Sequence, residues 1–345
     1  MAKMYRFIFI LPVNSSAISY VQSSGFKVIE LPLLELSRRP LQNLIYFPML
    51  IYNSVKLIVI AIKYEVKVIH INDFYNMLGL ILHLIFPKIK LITHIRILPN
   101  RYPRLLKKFW LWVAENLSNN FICMSYAIKK ELSSNTKCEV IYDMPLDNEK
   151  YPAPKFLKLN NKSNIDLLYL SNYINGKGQN YAIEAFAKAH RINSTIKLTF
   201  VGGDMGLMKN KVYKNSLIEL SKRLNIEEYV SFNSFEEDIE RLIKNYDIVL
   251  NFSESESFSM TCLEALYYGI PLIATDCGGP SELFQHLRSG YLVGNKNIDE
   301  MVEGILYLSS SEIIRSEFSI NSRKYVRKKF RLSDTILKFK ELYAN

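Results

Sequence analysis

Short apolar runs rich in β-branched residues alternate along this chain with longer stretches whose apolar positions recur every three to four residues. A run of about four to eight such residues bounded by turn formers reads as a strand, and the longer period reads as an amphipathic helix. In the first half the pattern predicts strands over residues 5–11, 27–31, 67–71, 90–94, 120–124 and 139–142, with helices over 75–85 and 104–117. In the second half it predicts strands over 165–170, 197–201, 230–232, 248–252, 271–274 and 291–293. Helices over 179–190, 214–224, 238–245 and 259–268 fall between them, and 311–343 continues the helical period. Strands that alternate with helices in this way form parallel sheets covered on both faces, so the chain is α/β in two halves.

Three stretches depart from the rhythm. Residues 143–164, DMPLDNEKYPAPKFLKLNNKSN, hold three prolines and many polar residues with no period, which marks an interdomain linker. The predicted division is a first domain over 1–150, a linker over 151–164, a second domain over 165–310 and a terminal helical segment over 311–345 that packs back on the first domain. Residues 41–63, LQNLIYFPMLIYNSVKLIVIAIK, match the length of a membrane span, about 20 residues. Gln42, Asn43, Pro48, Asn53, Ser54 and Lys56 interrupt them, so a buried or half-buried helix is expected, with an interface-lying helix as the alternative. The apolar part of MAKMYRFIFILPVNSSA is short for a signal peptide and breaks at a proline; it is expected to be a first buried strand.

Composition narrows the partners. With 345 residues the chain suits two compact domains, and Lys+Arg 44 against Asp+Glu 33 leaves a net charge of +11. That balance favours nucleic acid, anionic lipid headgroups or a nucleotide-linked substrate. RNP-like aromatic strands, zinc-finger spacing and an arginine-rich recognition helix are absent from the sequence, which argues against nucleic acid. Cys123, Cys138, Cys262 and Cys277 form no C-x-x-C pair and no ligand spacing with histidine, so all four are expected to be reduced, mostly buried thiols in a cytosolic protein. Arg323, Lys324, Arg327, Lys328, Lys329 and Arg331 cluster near the end, as a solvated helix face or as attraction to an anionic membrane surface.

The densest chemistry lies in residues 253–282, SESESFSMTCLEALYYGIPLIATDCGGPSE. A loop leaves the carboxyl end of the strand over 248–252, and Ser259, Met260 and Thr261 open a helix that stops at Gly269-Ile270-Pro271. The unpaired N–H groups at a helix start suit phosphate oxygens, and Ser257 and Ser259 are small enough to let a diphosphate approach. Glu264, one turn inside, could bond two vicinal ribose hydroxyls, while Glu256 could meet hydroxyls beyond the far phosphate. The competing local role is structural: Thr261 and Glu264 have the spacing of a capping box, and Glu254 and Glu256 could be solvated loop carboxylates.

From Tyr246 to Val293 the chain closely resembles the donor-binding domain of retaining glycosyltransferases of the GT-B fold, family 4, also called glycosyltransferase group 1. Glu256 and Glu264 match that family's Glu-x7-Glu motif, Ala265, Gly269 and Pro271 its continuation, Gly278, Gly279 and Glu282 its Gly-Gly-x-x-Glu, and residues 290–293 its late turn and strand. The resemblance reaches back to about residue 165: Lys177 and Gly178 match its basic diphosphate segment, with Asn172 where an arginine is expected, and residues 200–204 (FVGGD) resemble its glycine turn. The first half matches less, because LPVNSSAIS lacks the family's glycine-rich loop, while ITHIRILP resembles the segment with its cleft histidine.

The resemblance implies two Rossmann-like parallel-sheet domains facing across a cleft, and transfer of a sugar from a nucleotide-sugar with retained configuration. It implies catalytic roles for Glu256, Lys177 and His94, and donor contacts at Glu264, Ser257, Phe258, Ser259, Met260, Thr261, Gly203, Phe235 and Asn172. Acceptor-side contacts fall to Arg96 and His70. No metal and no cofactor are called for. The implied partners are a nucleotide-sugar donor, a saccharide or lipid-linked saccharide acceptor and an anionic membrane surface, with no nucleic acid. A cytoplasmic enzyme, peripheral at the inner membrane face and engaged in O-antigen or capsule assembly, fits these. A nucleotide-sugar epimerase of the same fold and a catalytically weakened nucleotide-sugar-binding subunit are the alternatives.

Overall fold

A computed structural model describes residues 5–34, 40–133, 136, 138–144 and 164–344, with side chains from residue 44 onward in the second of these stretches. The expected linker over 151–164 lies outside the described residues except for Asn164. The chain forms two compact units. One comprises Met1–Met124, Lys129–Ile141 and Ile336–Asn345, and the other Ser125–Ile128 and Tyr142–Thr335.

The elements up to residue 141 are β1 (Ile8–Pro12), α1 (Ala17–Ser23), β2 (Lys27–Leu31), α2 (Pro40–Lys63), β3 (Val68–Asn72), α3 (Met77–Ile85), β4 (Lys90–Ile95), α4 (Arg104–Leu117), β5 (Asn120–Cys123), α5 (Tyr126–Lys129) and β6 (Cys138–Val140). Those that follow are β7 (Ile165–Leu170), α6 (Gln179–Ile192), β8 (Ile196–Val201), α7 (Met208–Arg223), β9 (Val230–Asn233), α8 (Ile239–Lys244), β10 (Ile248–Asn251), α9 (Met260–Tyr268), β11 (Leu272–Thr275), β12 (Tyr291–Val293), α10 (Ile298–Ser309), α11 (Glu312–Lys329) and α12 (Leu332–Ala344).

In the first unit β1 pairs with β2, and β3-β4-β5-β6 form a parallel sheet. Leu80 of α3 and Val113 and Leu117 of α4 pack on Ile71 and Leu91, while Phe339, Leu342 and Tyr343 of α12 pack with Ile92, Ile122 and Ile141. In the second unit all six strands run parallel in the order β12-β11-β10-β7-β8-β9, so the order reverses between β10 and β7. One continuous core joins Leu167, Tyr169, Phe186, Phe200, Leu250, Phe252, Ile273 and Ile305.

Several expectations need correction. Helices α1 and α10 were not among the predicted elements, although Met301, Ile305 and Leu308 of α10 have the i, i+4, i+7 spacing and are fully buried. The predicted 311–343 helix breaks at Phe330-Arg331 into α11 and α12. Helix α2 is apolar on both sides, so burying one leaves the other exposed; the buried side carries Asn53 and Ser54, bonded to the carbonyls of Pro32 and Leu50. Cys123 and Cys138 are not separate thiols. The parallel register sets Phe121 opposite Cys138, which puts Cys123 two positions along on the same sheet face, and the two join as a disulfide; Cys262 and Cys277 are free. The basic cluster is not one solvated face either: the Arg323 side chain is buried over Gly269, and the Lys329 ammonium donates to the Glu282 carbonyl above the Tyr142 ring.

Candidate active site

At the point where the order of the six-stranded sheet reverses, the loops after β7 and β10 lie side by side, the location where open parallel sheets bind ligands. A buried hydroxyl joins them. Tyr169, on β7, donates to the Lys177 carbonyl at 2.5 Å and accepts from the Phe252 N–H at 2.8 Å. Gly178 follows at φ +77°, and a Cβ there would overlap the Phe252 carbonyl, so the close approach requires glycine. The Lys177 ammonium then meets Glu256 Oε1 at 2.6 Å, and the same oxygen accepts from the Ser253 hydroxyl at 2.9 Å. Both side chains of the pair remain partly open, 24 % and 13 % exposed. The backbone of Glu256 is fixed by its N–H on the Cys277 carbonyl and by Gly279 donating to its own carbonyl; a side chain on Gly279 would collide with Phe258.

Helix α9 begins two residues after Phe258. Ser259 caps it at φ +81°, its hydroxyl accepting from the Asn251 amide at 3.0 Å and the Cys262 N–H at 3.4 Å. The cap is therefore Ser259 rather than Thr261, and the capping box does not form; the Thr261 hydroxyl instead reaches the Leu170 carbonyl at 3.5 Å. Glu264 is left half-buried with no hydrogen-bond or ion-pair partner among the described residues, and burial pushes its carboxyl up to about 7. Glu254 is not an isolated loop carboxylate: it pairs with Lys296 at 2.7 Å and accepts from Tyr181, and the Lys296 contact is the first cause holding its carboxyl low.

Asn172, standing where a cation was expected, accepts from the Gly203 N–H at 3.0 Å and so ties the β7 loop to the β8 loop. Its neighbour Gly202 has no room for a Cβ beside the Ser171 carbonyl, whereas a Cβ at Gly203 would make only ordinary contacts, among them with Phe235, which is exposed. Ser257, Met260 and Thr261 are half-buried at the start of α9. Phe258, among the expected donor contacts, has its ring fully buried and stacked on Tyr142 at 5.7 Å, with its backbone against Gly279. Glu282, at the end of the Gly-Gly motif, accepts from the Tyr126 and Ala127 N–H groups and from the Tyr142 hydroxyl.

In the first unit the structure brings His70 and His94 together, rings 5.4 Å apart, beneath Phe339 and Tyr343. His94 was expected at a ligand surface, but its ring is 4 % exposed, with Nε2 buried and without a partner. His70 Nδ1 shares a 2.6 Å hydrogen bond with the Tyr343 hydroxyl. Burial, with neighbouring positive charge from Arg96, lowers His70 to about 4; burial, His70 and Arg96 lower His94 to about 3, so both rings are neutral near pH 7. Asp73 accepts from the backbone N–H groups of Arg96 and Ile97 at 2.7 and 3.0 Å, fixing the turn that follows β4.

Tyr169, Ser253, Asn251 and Lys296 were not among the expected site residues, and none of them carried a signal in the sequence; Gly202 lies in the glycine turn that the FVGGD resemblance pointed to.

Residues 153–325 match the family described as glycosyl transferases, group 1. N-acetyl-alpha-D-glucosaminyl L-malate synthase of Bacillus anthracis is 27 % identical over 177 residues, 51 % of this chain and 44 % of that protein. A Campylobacter jejuni protein, N-acetylgalactosamine-N,N'-diacetylbacillosaminyl-diphospho-undecaprenol 4-alpha-N-acetylgalactosaminyltransferase, is 27 % identical over 250 residues, 72 % of this chain and 58 % of that protein. The chain thus spans about half the length of these curated relatives. Among solved structures, Anabaena Alr3699/HepE in complex with UDP and glucose has a TM-score of 0.83 at 21 % identity, covering 100 % of this chain and 94 % of that one. The likeness gives the fold: GT-B, with parallel sheets of four and six strands.

Proposed function

The chain belongs to the group 1 glycosyl transferases, and on that premise we propose that it transfers a glycosyl group from a nucleotide-sugar to an acceptor hydroxyl with the anomeric configuration retained. One observation carries the proposal: the Lys177–Glu256 pair sits at the sheet's reversal point while Glu264, a turn into α9, has a half-buried carboxylate with no partner among the described residues. A carboxylate kept in that state suits ribose hydroxyls, which supply donors the protein does not.

In this scheme the bond between the anomeric carbon and the diphosphate oxygen breaks as the acceptor oxygen attacks from the same face, and the acceptor proton passes to the departing diphosphate. The Lys177 ammonium and the free N–H groups at the start of α9 stabilise the charge that grows on that diphosphate. Glu256 orients the sugar, Glu264 holds the ribose, and Gly203 and Phe235 border the base. Arg96 and His70 remain the acceptor-side proposal, and His94, a neutral ring, remains proposed near the transferred sugar. Relatives support the choice of substrates: the Anabaena structures hold UDP and UDP-glucose, and the Campylobacter name specifies a diphospho-undecaprenol saccharide. We extend this to a lipid-linked saccharide acceptor at the cytoplasmic membrane face, in surface polysaccharide assembly.

Calorimetry with UDP-, GDP-, ADP- and TDP-sugars, followed by transfer assays on undecaprenyl-diphosphate saccharides, tests the scheme. Binding of one nucleotide class, weakened by both Glu264→Ala and Lys177→Ala, is expected. Unchanged affinity in both variants removes the site, and conversion of the donor sugar without any acceptor would make the protein an epimerase.

A further inference from the structure

We propose that the outward side of helices α2 and α4 docks on a bilayer rich in anionic lipid; this deepens the proposed function, resting on it for the lipid-linked acceptor, and names the surface that meets the membrane. Leu44, Phe47, Ile51, Val55, Val59 and Ile62 of α2 are between 56 and 71 % exposed. Their spacing of three and four residues aligns them in one stripe, about 27 Å long at the helical rise. The opposite side of the same helix buries Tyr46, Asn53, Ser54 and Ala61. A helix on a water-facing surface has the reverse arrangement, and an aligned apolar stripe of this length exceeds the single exposed residues that are normal there.

Helix α4 repeats the feature with charge added. Leu105, Phe109 and Trp112 are exposed at i, i+4 and i+7, and the exposed Arg104 and Lys108 lie among them. Helix α3 touches both α2 and α4 and exposes Leu84 and Ile85 at its end. Helix α2 contributes the exposed cations Lys56 and Lys63 and contains no acidic residue; Glu115, near the far end of α4, is that helix's one acid. Apolar stripes with a tryptophan, flanked by cations, fit the boundary between headgroups and acyl chains of an anionic bilayer. Two copies facing each other through this surface would bring like charges together. Spanning is disfavoured, because it would strip Asn53 from the Pro32 carbonyl and expose its amide to hydrocarbon. The helix lies flat.

Flotation of the full chain with vesicles tests this, using phosphatidylcholine alone and phosphatidylcholine mixed with phosphatidylglycerol. The protein is expected to float with the mixed vesicles, to be released by high salt, and to show a blue-shifted Trp112 emission that Trp112→Phe removes. Arg104→Gln and Lys108→Gln should each weaken partitioning about fivefold, and the double variant Ile51→Glu/Val55→Glu should abolish it with the circular dichroism unchanged. No flotation, or equal flotation with neutral vesicles, overturns the proposal. A vesicle-free dimer lost in the double variant also overturns it, assigning the face to a second copy. Calorimetric titration with the UDP-sugar panel on the same samples separates the two claims: donor binding without flotation refutes the docking face alone, and flotation without donor binding refutes the donor site alone.

Discussion

At the reversal point of the six-stranded sheet, glycines let two loops press together until a buried tyrosine hydroxyl joins them, and the charged groups above stay open to a ligand. At the ends of β3 and β4 the opposite has happened: two histidines are sealed beneath aromatic rings, and the neighbouring helix α2 hides its amide and hydroxyl while showing hydrocarbon. Of the 13 glycines, only Gly25 and Gly79 belong to the first unit. On the proposed reading, the difference teaches where each kind of recognition would be built. Close main-chain contact with phosphate needs backbone without side chains, whereas contact with a disordered lipid surface needs area and charge, and little fixed geometry.

Breaking the loop chemistry of the second unit should have the largest effect. Lys177→Ala is expected to lower kcat/KM about 10²- to 10³-fold in a transfer assay, the usual loss when one preorganised group facing developing charge is removed. A smaller loss would mean that the cation matters less than the backbone cradle. Next comes Glu264→Ala, expected to weaken donor binding about 10- to 100-fold by calorimetry, since it removes hydrogen bonds to a charged group. Tyr169→Phe should cost about 1–3 kcal/mol in denaturant unfolding, because it leaves the Phe252 N–H buried without its partner.

The smallest effects are in pH, and they run in opposite directions in the two units. Glu264 has a folded value near 7, above its ordinary 4.5. Its contribution to stability is complete below about 4.5 and is lost as pH rises through 7. Donor affinity should rise over the same interval as the carboxylate ionises, and Glu264→Gln should flatten that step. His70 and His94 have folded values near 4 and 3, below the ordinary 6.5. Their contribution is present above 6.5 and is lost as pH falls toward 4 and 3, so replacing His94 by leucine should reduce the acid sensitivity of melting.

How much of this was legible depends on which residues carry the signal. The strands of the second unit fall within about two residues of the predicted ones, because β10 is buried at every position and β7 and β8 are mostly apolar, interrupted only by Asp166, Lys197 and Thr199. Glu256 and Glu264 stood out as candidates by their spacing around a helix start, and Lys177 by its resemblance to the family's basic segment. Tyr169 was not, since a tyrosine in an apolar run reads as core and its hydroxyl partners are backbone groups from two other loops. The Cys123–Cys138 pair was hidden for a similar reason: strand register brings the two together across 15 residues of sequence. For α2, length and hydrophobicity were plain, but hydropathy alone does not tell which side of a two-sided apolar helix turns inward.

Ser259 holds a backbone angle that glycine would adopt without strain, yet it carries a side chain whose oxygen serves both Asn251 and the first turn of α9. Exchanging it for glycine trades that relief against two lost hydrogen bonds, and a cap changed to glycine costs only about a few tenths of a kcal/mol. A melting screen would pass such a variant as neutral. Its turnover would fall, because the amino end of the helix would no longer be fixed before the diphosphate arrives.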